Sequence, residues 1–184
     1  MQDKFRKIFS NKKFLKTCAV IAIVFSLIQV IMCSIAGNYY LGFEMVIAAI
    51  ALICVLIAID KKPEAVNLPV AAAMMLYLLR YAERFFTYLS YPQVSVGRLV
   101  LIAVLPILMA IMMLIHLAMH LASDYSKLVK VQQVLYIVVI VFGAIARING
   151  AIKAAGAYNT VSYIVAGLAL VFTYLTLCAA EVEQ

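Results

Sequence analysis

With 184 residues, 67% of them hydrophobic and only 12% charged, and a mean hydropathy of +1.09, the chain falls well outside the composition of soluble domains. Its apolar runs fill most of the length and leave no stretch on which a separate soluble domain would be expected, so any chemistry belongs in or at a bilayer. The net charge of +7 is spread over loop ends instead of being gathered on one basic face, which argues against a nucleic-acid partner and for anionic membrane lipid.

A helix needs about 20 mostly apolar residues to cross about 30 Å of hydrocarbon. Runs of that kind, bounded by charge, Pro, Gly or Asn, predict six spans at 15–36, 43–60, 67–89, 97–121, 130–149 and 160–179. The expected fold is therefore an all-α integral membrane protein, a single transmembrane domain over 1–184 built as a compact six-helix bundle. Short loops would make consecutive helices antiparallel neighbours.

The first span follows Lys4, Lys7, Lys12, Lys13 and Lys16 and ends in "CSIAG" at 33–37, a start that resembles a secretory signal. Its apolar run is longer than a signal core and five spans follow, so it is read as an uncleaved helix. Cys18, Ala22 and Ser26 give it a row of small residues suited to close helix packing, and Ser26, Gln29 and Cys33 form a polar stripe. The second span is short and is followed by Lys61 and Lys62. The third reaches crossing length only by running through "LLRYAERFF" at 78–86, which carries Arg80, Glu83 and Arg84.

Pro69 is harmless at the start of that third span. Pro106 lies inside the fourth, where it frees the carbonyl of Ile102 and predicts a kink or packing irregularity. The same span ends in His116 and His120, with Asp124 four residues on. A metal shared by neighbouring members of this stripe would need ligands from another helix, because the outer two are about 12 Å apart along the axis. The histidines are read as solvated residues at the interface. Cys18, Cys33, Cys54 and Cys178 have no metal or redox spacing and read as small buried hydrophobes.

Lysine sets the direction. The segment before the first span, Lys61 and Lys62, and Lys127 and Lys130 all fall on one side, which the positive-inside rule makes cytoplasmic, with both termini inside. Only Lys153 falls outside. Arg80, Arg84, Arg98 and Arg147 fall toward the outer side instead. At 1.5 Å per residue, Arg80 is about 18 Å and Arg84 about 24 Å along the third helix.

Tyr77, Arg80, Arg84 and Tyr88 share a stripe on the third helix, with Glu83 three residues after Arg80. Gln132, Tyr136, Gly143 and Arg147 share one on the fifth. Glu83 and Glu44 are the only carboxylates expected on that side, so guanidinium charge is in surplus. Such a layer suits a carboxylate or phosphate held through paired hydrogen bonds, with tyrosines against the rest of the ligand. The expected ligand site is Arg80, Arg84, Arg98 and Arg147 with Glu83, Tyr77 and Tyr136.

These residues support a multi-pass cell-membrane protein that transports or binds an anionic small molecule or lipid headgroup, without a cofactor and with a partner subunit or as a homo-oligomer. In size and span number the chain resembles the substrate-capture subunits of vitamin transporters powered by separate ATPases, a likeness of architecture with no shared motif. A second reading is an accessory membrane protein whose arginines only pair with lipid phosphates. A third is a metal-dependent membrane enzyme using His116 and His120. Familiar catalytic motifs are missing, and no enzyme is expected.

Overall fold

A computed structural model describes residues 11–37, 39–62, 65–91, 96–121 and 126–182. Within the helices, the side chains of residues 39–41, 44, 97, 98, 101, 120 and 182 lie outside the described residues. The described residues form six helices: α1 (Lys12–Ile35), α2 (Tyr39–Lys61), α3 (Asn67–Leu89), α4 (Val96–Leu121), α5 (Ser126–Lys153) and α6 (Ala157–Val182). Four segments are long and apolar enough to cross a membrane: Lys12–Ile35, Ile102–Met119, Ser126–Lys153 and Ala157–Glu181. Their outward rows, such as Val20, Val24, Leu27 and Ile31 of α1, are exposed and apolar. A continuous apolar surface of this kind marks contact with a membrane or a partner.

The helices run past the apolar stretches that reveal them in the sequence. A helix ends where its hydrogen bonds end, whereas a hydropathy run ends at the first charge, so Lys127, Lys130 and Lys153 all lie within α5. The turns are correspondingly shorter than the sequence suggests. Asn11 caps α1 by accepting from the Lys13 amide through its side chain at 3.0 Å. The 149–160 connection reduces to residues 154–156, and the chain reverses there through Gly156 at φ +87°. Gly37 serves the same purpose after α1 at φ +71°. The fourth helix continues through Pro106 without a break.

The chain divides into two compact units, Met1–Val70 with Ile140–Gln184, and Ala71–Val139. In the first, α1 contacts both α2 and α6. The buried row of α1, Leu15, Cys18, Ala19, Ala22, Ser26, Gln29 and Cys33, follows three- and four-residue steps and so forms one face. Lys16 pairs with Asp60 at 2.6 Å near one end, and a Cβ on Gly42 would lie 3.6 Å from Cys33 near the other, which makes α1 and α2 antiparallel.

The Gln29 amide donates to Ser162 Oγ of α6 at 3.1 Å, the Tyr158 hydroxyl donates to the Met32 carbonyl, and Phe25 stacks near Phe172. Gln29 Oε1 and Ser26 Oγ are buried without a hydrogen-bond partner among the described residues. The small-residue row Cys18, Ala22 and Ser26 is buried, as close packing requires. Cys33 and Cys178 are buried too, but Cys54 is exposed, because it falls off the Leu52, Val55 and Ile59 face of α2.

In the same unit the later part of α5 meets α6 at its glycines. An added Cβ on Gly150 would lie 2.7 Å from the Tyr163 ring, one on Gly143 would lie 2.8 Å from Leu170 Cδ2, and one on Gly167 would lie 3.3 Å from Arg147 Cβ. These are three rungs of one antiparallel contact, and glycine on one side or the other makes each rung fit.

In the second unit the Tyr136 hydroxyl of α5 lies 3.7 Å from Met74 Sδ of α3, and the Gln132 amide of α5 donates to the Met112 carbonyl of α4 at 3.0 Å. Around them Met74, Met109, Met112 and Met119 are all buried. A methionine-rich core fills irregular space with flexible, polarizable side chains.

The rungs differ in what can yield. Gly150→Ala should destabilise the protein by about 1–3 kcal/mol, because the added methyl meets a rigid ring. Gly143→Ala should cost less, since the movable end of Leu170 can turn away. Unfolding in mixed micelles measures both, and equal costs would refute the ring as the cause. Ser162→Ala leaves the Gln29 amide with only the weak Cys33 sulfur and should cost about 1 kcal/mol. Gln29→Met removes the amide together with its unpaired oxygen and should cost less in the same assay.

Candidate anion-binding site

Along α3 the positions Ala73, Tyr77, Arg80, Arg84 and Tyr88 fall on one side of the helix, at steps of three and four, and Tyr91 follows two residues after its end. The first part of that line is core: Ala73 and Tyr77 are buried, and the Tyr77 ring lies 6.3 Å from Tyr81. Beyond Tyr77 the same line opens. Arg80, Glu83, Arg84, Thr87, Tyr88 and Tyr91 surround a pocket of about 500 Å³, within the range of small-molecule sites.

Charge in the pocket is unbalanced. Arg80 Nη1 donates to Glu83 Oε2 at 3.1 Å, an i, i+3 pair whose side chains are 25% and 44% exposed. Arg84 is half-buried and has no ion-pair partner among the described residues. Two guanidiniums and one carboxylate therefore line the pocket among the described residues. The Thr87 hydroxyl donates to the Glu83 carbonyl at 2.9 Å, which fixes its direction. Tyr88 and Tyr91 meet edge to face, with ring centroids 6.3 Å apart.

Such a constellation can hold an oxyanion on the guanidinium of Arg84 and set aromatic surface beside it. The other expected members are not among the described residues that line the pocket. Tyr77 and Tyr136 are buried and do not line the pocket. Arg147 belongs to the first unit, where its stem lies over Gly167. The side chains of Arg98 and Glu44 lie outside the described residues.

Thr87 and Tyr91 are pocket residues that the sequence stripe did not include. For Thr87 the signal was available, since it lies seven residues after Arg80 on the helix, whereas Tyr91 follows the end of α3 and no helical step places it.

His116 differs from expectation. His116 is 1% exposed and not solvated, because α4 buries the row Met109, Met112, His116 and Met119. The His120 side chain and Asp124 lie outside the described residues. Among the described residues no three His, Cys, Asp or Glu side chains gather as a metal site. Comparisons of the chain with protein families, with curated proteins and with solved structures give no match.

The charge imbalance has a direct consequence. Glu83→Gln removes the one carboxylate that lines the pocket among the described residues, so it should tighten sulfate binding severalfold and steepen its dependence on salt. Sulfate titration of the detergent-solubilised protein by calorimetry checks this. Unchanged affinity would mean that Glu83 does not face the bound anion.

Proposed function

We propose that this chain is a multi-pass cell-membrane subunit that captures an anionic small molecule or lipid headgroup in the pocket of α3, and passes it on with a partner subunit or as a homo-oligomer. In this reading all six helices cross the bilayer and both termini are cytoplasmic. The observation that carries it is the pair of arginines facing one carboxylate on a helix that is otherwise apolar. A charge held at depth costs several kcal/mol, so an unpaired guanidinium at such a position calls for a ligand or a lipid phosphate.

The positive-inside distribution of the lysines supports the direction. The Asp60 to Lys62 end of α2 and the Lys12 to Lys16 end of α1 come together through the Lys16–Asp60 pair, as they must if both face the cytoplasm. By chain length, Arg80 to Tyr91 then lie about 20–36 Å beyond Asn67, toward the outer surface.

The Arg80–Glu83 pair also fits an accessory protein whose charges only settle α3 at the interface. The two readings part in a thermal-shift experiment on the purified protein, because a ligand that binds only the folded state raises its apparent stability. The capture reading expects a saturable upward shift with an anionic metabolite or phospholipid, lost in Arg80→Gln and Arg84→Gln. Variants as stable as the parent, with no shift from any anion, would leave the accessory reading in place.

A further inference from the structure

The second unit selects which side chains it buries. Among the described residues, every side chain that α4 buries is a methionine or a histidine: Met109, Met112, His116 and Met119. Steps of three, four and three put them in one row along the helix. Leucine and isoleucine are plentiful on α4, yet Ile107, Ile111, Leu114 and Leu117 are exposed. Filling space does not account for that segregation, since leucine and methionine exchange in cores at little cost. What the buried row has in common is donor chemistry, three thioethers and an imidazole.

The helices around the row belong to the same core. Gln132 of α5 donates to the Met112 carbonyl at 3.0 Å, and one turn further along α5 the Tyr136 hydroxyl lies 3.7 Å from Met74 Sδ of α3. Gln132, Tyr136 and Met74 are themselves buried.

The chemistry open to such a row is narrow. Thioether sulfur is a soft, uncharged donor that favours Cu(I), and imidazole binds copper as well. Zinc, magnesium and calcium draw on thiolates and carboxylates, and no three His, Cys, Asp or Glu side chains gather among the described residues. Uncharged donors also leave the whole charge of the ion in an apolar core, so a monovalent ion costs far less there than a divalent one.

Spacing identifies the donors. Residues three and four apart on a helix are neighbours, with Cβ atoms about 5–6 Å apart. His116 has a thioether at each of these steps, Met112 four residues before it and Met119 three after it. Met119 also lies two residues before the end of α4, where Leu121 is exposed, so the row runs inward from the end of the helix.

We infer that the buried row of α4 is a Cu(I) site, with the His116 imidazole and the thioethers of Met112 and Met119 as its donors. It is separate from the α3 pocket and does not depend on what that pocket binds.

The test is an anaerobic titration of the full chain in a neutral detergent, with Cu(I) supplied as its bicinchoninate complex, whose colour is lost as the protein takes the metal. Cys54→Ala serves as the parent, because Cys54 is the exposed thiol among the described residues. The expected result is stoichiometric uptake that persists in excess Zn(II). The pair Met112→Leu with Met119→Leu, and His116→Leu, should each weaken it about tenfold or more. Met75→Leu, at an exposed methionine of α3, should leave it unchanged.

No uptake by the parent, or uptake that the methionine pair leaves unchanged, overturns the inference. Displacement by excess Zn(II) does so too, since it marks harder ligands. Unchanged uptake in a folded His116→Leu overturns the mixed donor set. If His116→Leu does not fold, Ag(I) provides a soft, redox-inert probe in thermal-shift measurements on the methionine variants. Stabilisation of the parent that the methionine pair loses is then the expected result, and equal stabilisation of both overturns the site.

Discussion

Lipid tails are as apolar as leucine, so two helices that meet in a bilayer gain little by hiding leucine from it. Association has to come from close approach and from polar groups that prefer each other to hydrocarbon. In this protein α6 meets both demands. Gly143 and Gly150 of α5 and its own Gly167 leave room for the side chains of Leu170, Tyr163 and Arg147 along three rungs, while Ser162 and Tyr158 bond to Gln29 and the Met32 carbonyl of α1. The heavy burial of α6, from Val165 to Glu181, follows from having neighbours that fit in both ways.

A different logic governs the second unit. Its contacts between helices include a thioether beside a tyrosine hydroxyl and an amide bonded to a backbone carbonyl, set among buried methionines. Methionine conforms to its surroundings instead of imposing a shape. This core surrounds the early part of α3, and the pocket begins where the same face of the helix passes Tyr77. One row of residues thus serves packing first and charge second.

The positions of the helices could be read from the sequence because each apolar run is flanked by charge, Pro, Gly or Asn. For α3 the two sets of bounds coincide at 67–89, since Asn67 and the turn after Leu89 end the hydrogen-bonded helix and the apolar run together. For α5 they do not, because the hydrogen-bonded helix runs on through Lys127, Lys130 and Lys153, where the apolar run has ended. The Arg80–Glu83 pair was legible because a spacing of three fixes proximity on a helix. The partner of Gln29 was not: Ser162 is 133 positions away, and no local pattern reports a contact of that range. The placement of His116 failed for a related reason. Its closeness to the end of an apolar run suggested water, while the face it shares with Met109, Met112 and Met119 determined burial.

The separation of lysine from arginine has a physical basis in the two side chains. Lysine carries a compact, strongly hydrated charge that stays with water, so it serves topology and gathers at helix ends such as Lys12, Lys13, Lys61 and Lys62, all exposed. A guanidinium is less strongly hydrated and offers five donors in a fixed plane, so it can stay half-buried when an oxyanion meets it. Arg80 has such an oxyanion in Glu83, while Arg84, four residues on and equally half-buried, has none among the described residues. A helix that needed only an anchor at the interface could use lysine at that position, because a flexible stem reaches the headgroups without ordering its charge. A planar fork at that position, beside a second one already paired with Glu83, is matched to a group whose two oxygens share one charge.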